Sequence, residues 1–158
     1  MSNAQHVGPT RILVATDFSE NAQHALDYAA SIARAQGARV ILVHALDLPD
    51  PLSMMGGSLK PMVDSHAATA HAEDLLGAEA RRAQLGQLLE AAVVLRHRPE
   101  QEILTAIQAH RADLVVLGTR GQRGVQRFLL GSVSERVSRA CPVPALIIPM
   151  PSLGEESG

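Results

Sequence analysis

At 158 residues the chain has the size of one domain, long enough to bury a core of its own. Its apolar fraction is 46% but its aromatic fraction only 2%, so that core has to be assembled from Ala, Val, Leu and Ile. The formal net charge of −2 gives no global attraction for nucleic acid, the single cysteine, Cys141, excludes an intrachain disulfide, and no apolar run is long enough to cross a bilayer.

The first residues show no basic-then-apolar leader pattern, so a cytoplasmic protein is expected. The domain is expected to span 9–150, with residues 1–8 and 151–158 as flexible termini.

RILVAT, from Arg11, is a short apolar run without strict alternation, as expected of a strand covered on both faces. Asp17 and Ser19 follow. Ala22, Ala25, Leu26, Ala29, Ile32 and Ala33 then repeat at helical spacing until Gly37, a left-handed cap. RVILVHAL, Arg39 to Leu46, predicts a second strand. The segment from Pro49 to Pro61, rich in Pro, Gly and Met, reads as an excursion; Met54 and Met55 suit a lid, a partner surface or plain loop filler.

From about Asp64 to Glu90 the pattern is helical, with Leu75, Leu76, Leu85, Leu88 and Leu89 facing the core and Gly77 and Gly86 weakening its continuity. AAVVL, Ala91 to Leu95, predicts strand three. Pro99 opens the next helix, where a missing N–H is tolerated, and Ile103, Leu104 and Ile107 mark its buried side. LVVLG is strand four, Val133 to Ala140 the last helix, and ALIIP the last strand. Strands alternating with helices give an α/β fold with a parallel, doubly wound sheet.

In such sheets ligands bind beyond the carboxyl ends of the strands, where the winding reverses. Asp17 and Gly118 stand at strand ends. Between strand four and the last helix runs GTRGQRGVQRFLLGS, in which Gly118, Gly121, Gly131 and Ser132 form the pattern G-x2-G-x9-G-S. It delivers Gly131, Ser132 and Ser134 to a helix start, where unpaired amides and the helix dipole stabilise an anion. Arg120, Arg123 and Arg127 add positive charge. Neither a Walker loop nor G-x-G-x-x-G is present.

Plainer readings exist for each residue. Ser132 and Glu135 form S-x-x-E, a capping box that needs no ligand. Asp17 can serve only to satisfy donors at the start of the first helix. His44, inside an apolar strand, reads as a core histidine with a partner. His66 and His71, five apart, do not share a helix face, and Cys141 reads as a packed residue, so no metal or catalytic site is expected.

With these elements in this order, RILVATDFSENAQHAL, VILVHALD and DLVVLGTRGQRGVQRFLLGSVSERVSRACPVPALIIP resemble the ATP-binding branch of the universal stress protein family, from Arg11 to Pro149. The resemblance implies one Rossmann-like domain, related to the adenine nucleotide alpha-hydrolase folds, with a five-stranded parallel sheet in the order 3-2-1-4-5 and helices on both faces. It implies ATP, or ADP or AMP, with Mg2+ carried by the phosphates. By position, Ala15, Thr16 and Asp17 would flank adenine and ribose, and Ala45 would offer backbone to the base. Leu117, Gly118, Gly121, Gly131, Ser132, Val133 and Ser134 would line ribose and phosphates, with Arg120 added on charge alone. His97 to Pro99 stand where the family often has a glycine. A homodimer through Ala145–Pro149 and an unnamed downstream protein are the implied partners, with no nucleic acid and no membrane.

The expected function is therefore a nucleotide-dependent regulator in stress response, with little or no catalysis. The alternatives are a slow ATPase or ATP-using transferase, and a structural module with an unused cleft. Phosphoryl transfer asks for a metal clamp and a group to position the attacking oxygen, and Asp17, the one well-placed carboxylate, is put near the sugar by the resemblance.

Overall fold

The computed structural model describes residues 7–47, 60–119 and 130–151, with backbone alone at 60–64. The chain runs β1 (Arg11–Ala15), α1 (Glu20–Gln36), β2 (Arg39–Leu46), α2 (Lys60–Arg82), a 3-10 turn (Gly86–Leu88), β3 (Leu89–Arg96), α3 (Pro99–Ala109), β4 (Leu114–Gly118), α4 (Ser132–Ala140) and β5 (Ala145–Ile148). The five described strands form one sheet in the order β3-β2-β1-β4-β5, each neighbouring pair parallel.

The order carries the functional geometry. β1, β2 and β3 step outward in one direction, then the chain returns to place β4 on the opposite side of β1. The winding reverses between β1 and β4, and the carboxyl ends of these two strands leave a crevice.

Each side of the sheet has its own apolar layer. Ile12, Val14, Val40 and Leu42 pack with Ala25, Leu26, Ala29 and Ala33 of α1 and with Leu76 of α2. Leu13, Ile41, Val43 and Val115 pack with Ile103 and Ile107 of α3 and Val137 of α4. Burial on both faces is why β1 and β2 read as continuous apolar runs. The alanines of α1 let its backbone approach the sheet closely, which answers the scarcity of aromatic residues.

Ser19 caps α1 by accepting from the Ala22 amide at 3.2 Å, and Gly37 ends it at φ 68°, the left-handed conformation expected of it. At the opposite end of the strands Asp113 accepts from the Thr10 hydroxyl at 2.6 Å and from the Thr10 and Arg11 amides, tying the entry of β1 to that of β4. Arg82 and Glu79 of α2 reach Asp27 and Gln23 of α1 and join the two helices.

Two sequence boundaries shift. The helix expected to reach Glu90 ends at Arg82; Gly86, at φ 50°, lies in the 3-10 turn and Leu89 already belongs to β3. It also starts earlier, taking in Lys60 and Pro61. Helix α4 begins at Ser132, with Gly131 as its cap residue, so Ser132 is the first helical residue. The capping box expected from S-x-x-E does not form: no side chain caps this end, and Glu135 pairs with Arg139 at 2.9 Å.

Candidate functional site

The crevice between β1 and β4 opens into a cleft of about 210 Å³, partly open to solvent. Ala15, Thr16, Asp17, Ala45, Leu117, Gly118, Gly131, Ser132, Val133 and Ser134 all line it. These are ten of the twelve residues expected from the sequence. The other two, Arg120 and Gly121, lie outside the described residues, as do Arg123, Arg127, Met54 and Met55.

The phosphate-sized corner is the start of α4. Gly131 N–H donates to the Thr119 carbonyl at 2.6 Å, and the Gly131 carbonyl accepts from the Glu135 amide, the first bond of the helix. That leaves the amides of Ser132, Val133 and Ser134 without an intrahelical carbonyl, by the geometry of any helix start. Gly131 itself sits at φ −58°, ψ 149°, a conformation open to every residue, so backbone strain does not require glycine there.

Ser134 has a different role from the one its position suggested. Its hydroxyl donates to the Gly118 carbonyl at 2.7 Å, joining α4 to the end of β4. With its proton committed there, its oxygen can only accept, and it shapes the cleft instead of donating into it.

On the β1 side, Asp17 Oδ1 accepts from the Ser19 amide at 3.0 Å and the Ser19 hydroxyl at 2.5 Å. Asp17 thus does satisfy donors at the start of α1 while lining the cleft. Among the described lining residues it is the one with a charged carboxylate, and none carries a Lys or Arg side chain. The favourable potential for an anion comes from helix ends. First-turn residues of α1 (Ala22), α3 (Pro99) and α4 (Ser132 to Ser134) all border this cleft, so three positive helix termini meet on it. Arg136 of α4 reaches Glu100 of α3 at 3.1 Å, bridging two of these helices near the cleft.

A profile described as the universal stress protein family matches residues 9–149. A curated relative from Thermus aquaticus, the universal stress protein in the QAH/OAS sulfhydrylase 3′ region, is 36% identical over 140 residues, covering 87% of this chain and 96% of its own. The chain belongs to the universal stress protein family. Among solved structures, universal stress protein UspA from Lactobacillus plantarum is 26% identical and superposes with a TM-score of 0.71 over 88% of this chain and 97% of that one. Two further family structures share the fold: a universal stress protein in complex with cAMP (24% identity, TM-score 0.61, 89% and 97% coverage) and one from Archaeoglobus fulgidus in complex with dAMP (22%, 0.57, 88% and 97%).

This universal stress protein also recruits residues the motif did not indicate. Ala22, His44, Pro99 and Ile103 complete the wall. Pro99 and Ile103 had a signal: a helix that follows a parallel strand starts at the same end of the sheet as the cleft. Ala22 and His44 had none, because an alanine in a helix and a histidine in a strand are ordinary packing residues. Cys141 packs against the α3–α4 layer, as its neighbours suggested.

Proposed function

We propose that this chain binds ATP, with ADP or AMP as related ligands, and acts as a nucleotide-dependent regulator in stress response with little or no catalysis. One observation carries the reading: the exposed amides at the start of α4 and the end of β1, which bears Asp17, face one cleft at the reversal point of the sheet. Family neighbours bound to cAMP and dAMP support an adenine nucleotide as the ligand class.

The residues present fit such a group. Ala15, Ala45 and Ile103 offer aliphatic walls for a base, Leu117 and Val133 line the side of the ribose and phosphates, and Asp17 offers a carboxylate for sugar hydroxyls. The amides of Ser132, Val133 and Ser134 would take phosphate oxygens, with Gly131 leaving the approach clear. Mg2+ would enter on the phosphates, held by their oxygens and water. To regulate, ATP must favour one of two states of the protein, since tight binding alone shifts nothing. The protein is taken as cytoplasmic; among the described residues no helix is long and apolar enough to cross a membrane.

A homodimer through Ala145–Pro149 belongs to the same proposal. β5 lies at one end of the strand order, where unpaired backbone groups invite a second copy. Sedimentation over a concentration series tests it, and a monomer throughout would refute it.

Equilibrium titration of the pure protein with ATP and Mg2+ tests the site. Wild type should bind, and Gly131→Val should bind at least about tenfold more weakly at unchanged stability, since valine tolerates the backbone angles but blocks the approach. Equal affinity removes the cradle. Following product release in the same mixture tests the alternative: turnover of many per minute, lost in Asp17→Ala or Ser132→Ala, would make this an ATPase or transferase.

A further inference from the structure

We infer that His44 is a positioning residue for this site, gripping the turn between β1 and α1 so that Asp17 is presented to the cleft. The inference rests on reading the cleft as a nucleotide site. His44 Nδ1 lies 2.7 Å from the Thr16 carbonyl oxygen. A carbonyl only accepts, so Nδ1 carries the hydrogen and the tautomer of the neutral ring is fixed. The His44 ring also meets the Phe18 ring, centroids 4.4 Å apart and planes inclined by 35°. One side chain therefore holds the residues on both sides of Asp17.

The turn needs such a hold. Phe18 has φ 65°, a left-handed conformation that residues other than glycine seldom adopt. Its amide donates to Thr16 Oγ1 at 3.0 Å, and the Thr16 amide donates to the Val43 carbonyl at 2.9 Å. Were Phe18 to relax to negative φ, the Asp17–Phe18 peptide would turn and carry the carboxylate with it. The anchor stands on rigid ground, because β2 is paired on both sides and His44 is in register with Val94 of β3. A core histidine would also satisfy its ring N–H with a carbonyl, so the coupling to Asp17 is what separates a positioning role from packing alone.

Two measurements decide it. Without nucleotide, hydrogen exchange at the Phe18 and Ser19 amides should speed up by about tenfold in His44→Leu and stay within about threefold of wild type in His44→Asn, whose amide restores a donor. With ATP, His44→Leu should weaken binding by about tenfold, His44→Asn by less than about threefold, and His44→Leu added to Asp17→Ala should cost no more than about twofold beyond Asp17→Ala alone. Unchanged exchange in His44→Leu, or effects on ATP affinity that simply add, would overturn the inference. A wild-type protein that fails to bind ATP removes the nucleotide reading and, with it, the role in binding. The ligand-free exchange comparison still decides whether His44 sets the turn.

Discussion

Gly118 and Asn21 are fitted to each other: a Cβ built on Gly118 would lie 2.7 Å from Asn21 Oδ1 and 3.0 Å from its Cγ. Asn21 is buried at 4% exposure; its amide donates to the Ile148 carbonyl at 3.1 Å and its oxygen accepts from the Thr119 hydroxyl at 3.2 Å. The first glycine of the motif is thus needed by the protein's own packing, where α1 meets the ends of β4 and β5. Gly118→Ala should lower stability by about 1–3 kcal/mol, since the displaced amide would give up buried hydrogen bonds. Denaturant unfolding measures this, and Asn21→Ala added to Gly118→Ala should cost less than the sum of the two. An unchanged midpoint in Gly118→Ala would show that Asn21 has room to move.

Asn21 also marks the limit of what the residues disclosed. The strands and their order were legible because each apolar run is short, covered on both faces and separated by a helix with clear caps. Of the ten cleft residues, Asp17, Gly118, Gly131, Ser132 and Ser134 were legible from strand ends and the motif, while Ala15, Thr16, Ala45, Leu117 and Val133 came only with the family resemblance. Gly118 was read as a place for ligand, since a sequence records that a side chain is missing but not which neighbour needs the space. The break after Arg82 was hidden for a related reason. Leu85, Leu88 and Leu89 continue a helical spacing, while the chain has already turned at Gln84, with φ 53°, and Gly86. The helix ends there in a left-handed cap at Gln84, whose amide and that of Leu85 bond back to the Arg81 and Ala80 carbonyls, and β3 then pairs with β2 from Leu89 onward.

The two serines of α4 should separate under mutation. The capping-box reading of Ser132 predicts that Ser132→Ala loses about 1 kcal/mol of stability. The structure places Ser132 inside the helix, with no side-chain cap, so Ser132→Ala should leave stability within about 0.5 kcal/mol. Ser134→Ala should lose about 1 kcal/mol, because the Gly118 carbonyl loses its donor. If both nucleotide affinities are then measured, Ser134→Ala should act through the displaced end of β4. Thermal and denaturant melts of the two variants decide the assignment, and a larger loss in Ser132→Ala would reverse it.

Acid stability should depend on Asp113. Partial burial pushes its carboxyl up, but the hydrogen bonds from the Thr10 hydroxyl and the Arg11 and Thr10 amides outweigh this and hold it below the ordinary carboxylate range. A folded-state value below the unfolded one adds stability at neutral pH, and that stability is lost as pH falls through the folded value. Asp113→Asn should therefore be less stable than wild type by about 1 kcal/mol at pH 7, a modest figure because the group is partly solvated. The gap should narrow as pH drops below the ordinary carboxylate range. A gap that stays constant down to the acid limit would mean that shape, not charge, makes the contact.

The tie between α1 and α2 predicts a larger loss from one mutation than from two. Glu79 is nearly buried, its side chain 10% exposed, and accepts from Gln23 Nε2 at 2.9 Å and Arg82 Nε at 3.1 Å. Arg82 is a third exposed and also pairs with Asp27 at 2.9 Å. Burial works against the Arg82 charge, but its bonds to Asp27 and Glu79 prevail and raise its pKa further. Removing the cation alone strands a carboxylate in a poorly solvated site, so Arg82→Met should cost about 2 kcal/mol, less than a fully buried pair because water reaches the guanidinium. Adding Glu79→Gln removes the stranded charge while leaving an acceptor for Gln23, so the double variant should regain about half of that loss. Chemical denaturation of the three variants measures the cycle. If the double variant is less stable than Arg82→Met, the attraction between the charges outweighs the penalty of burying Glu79.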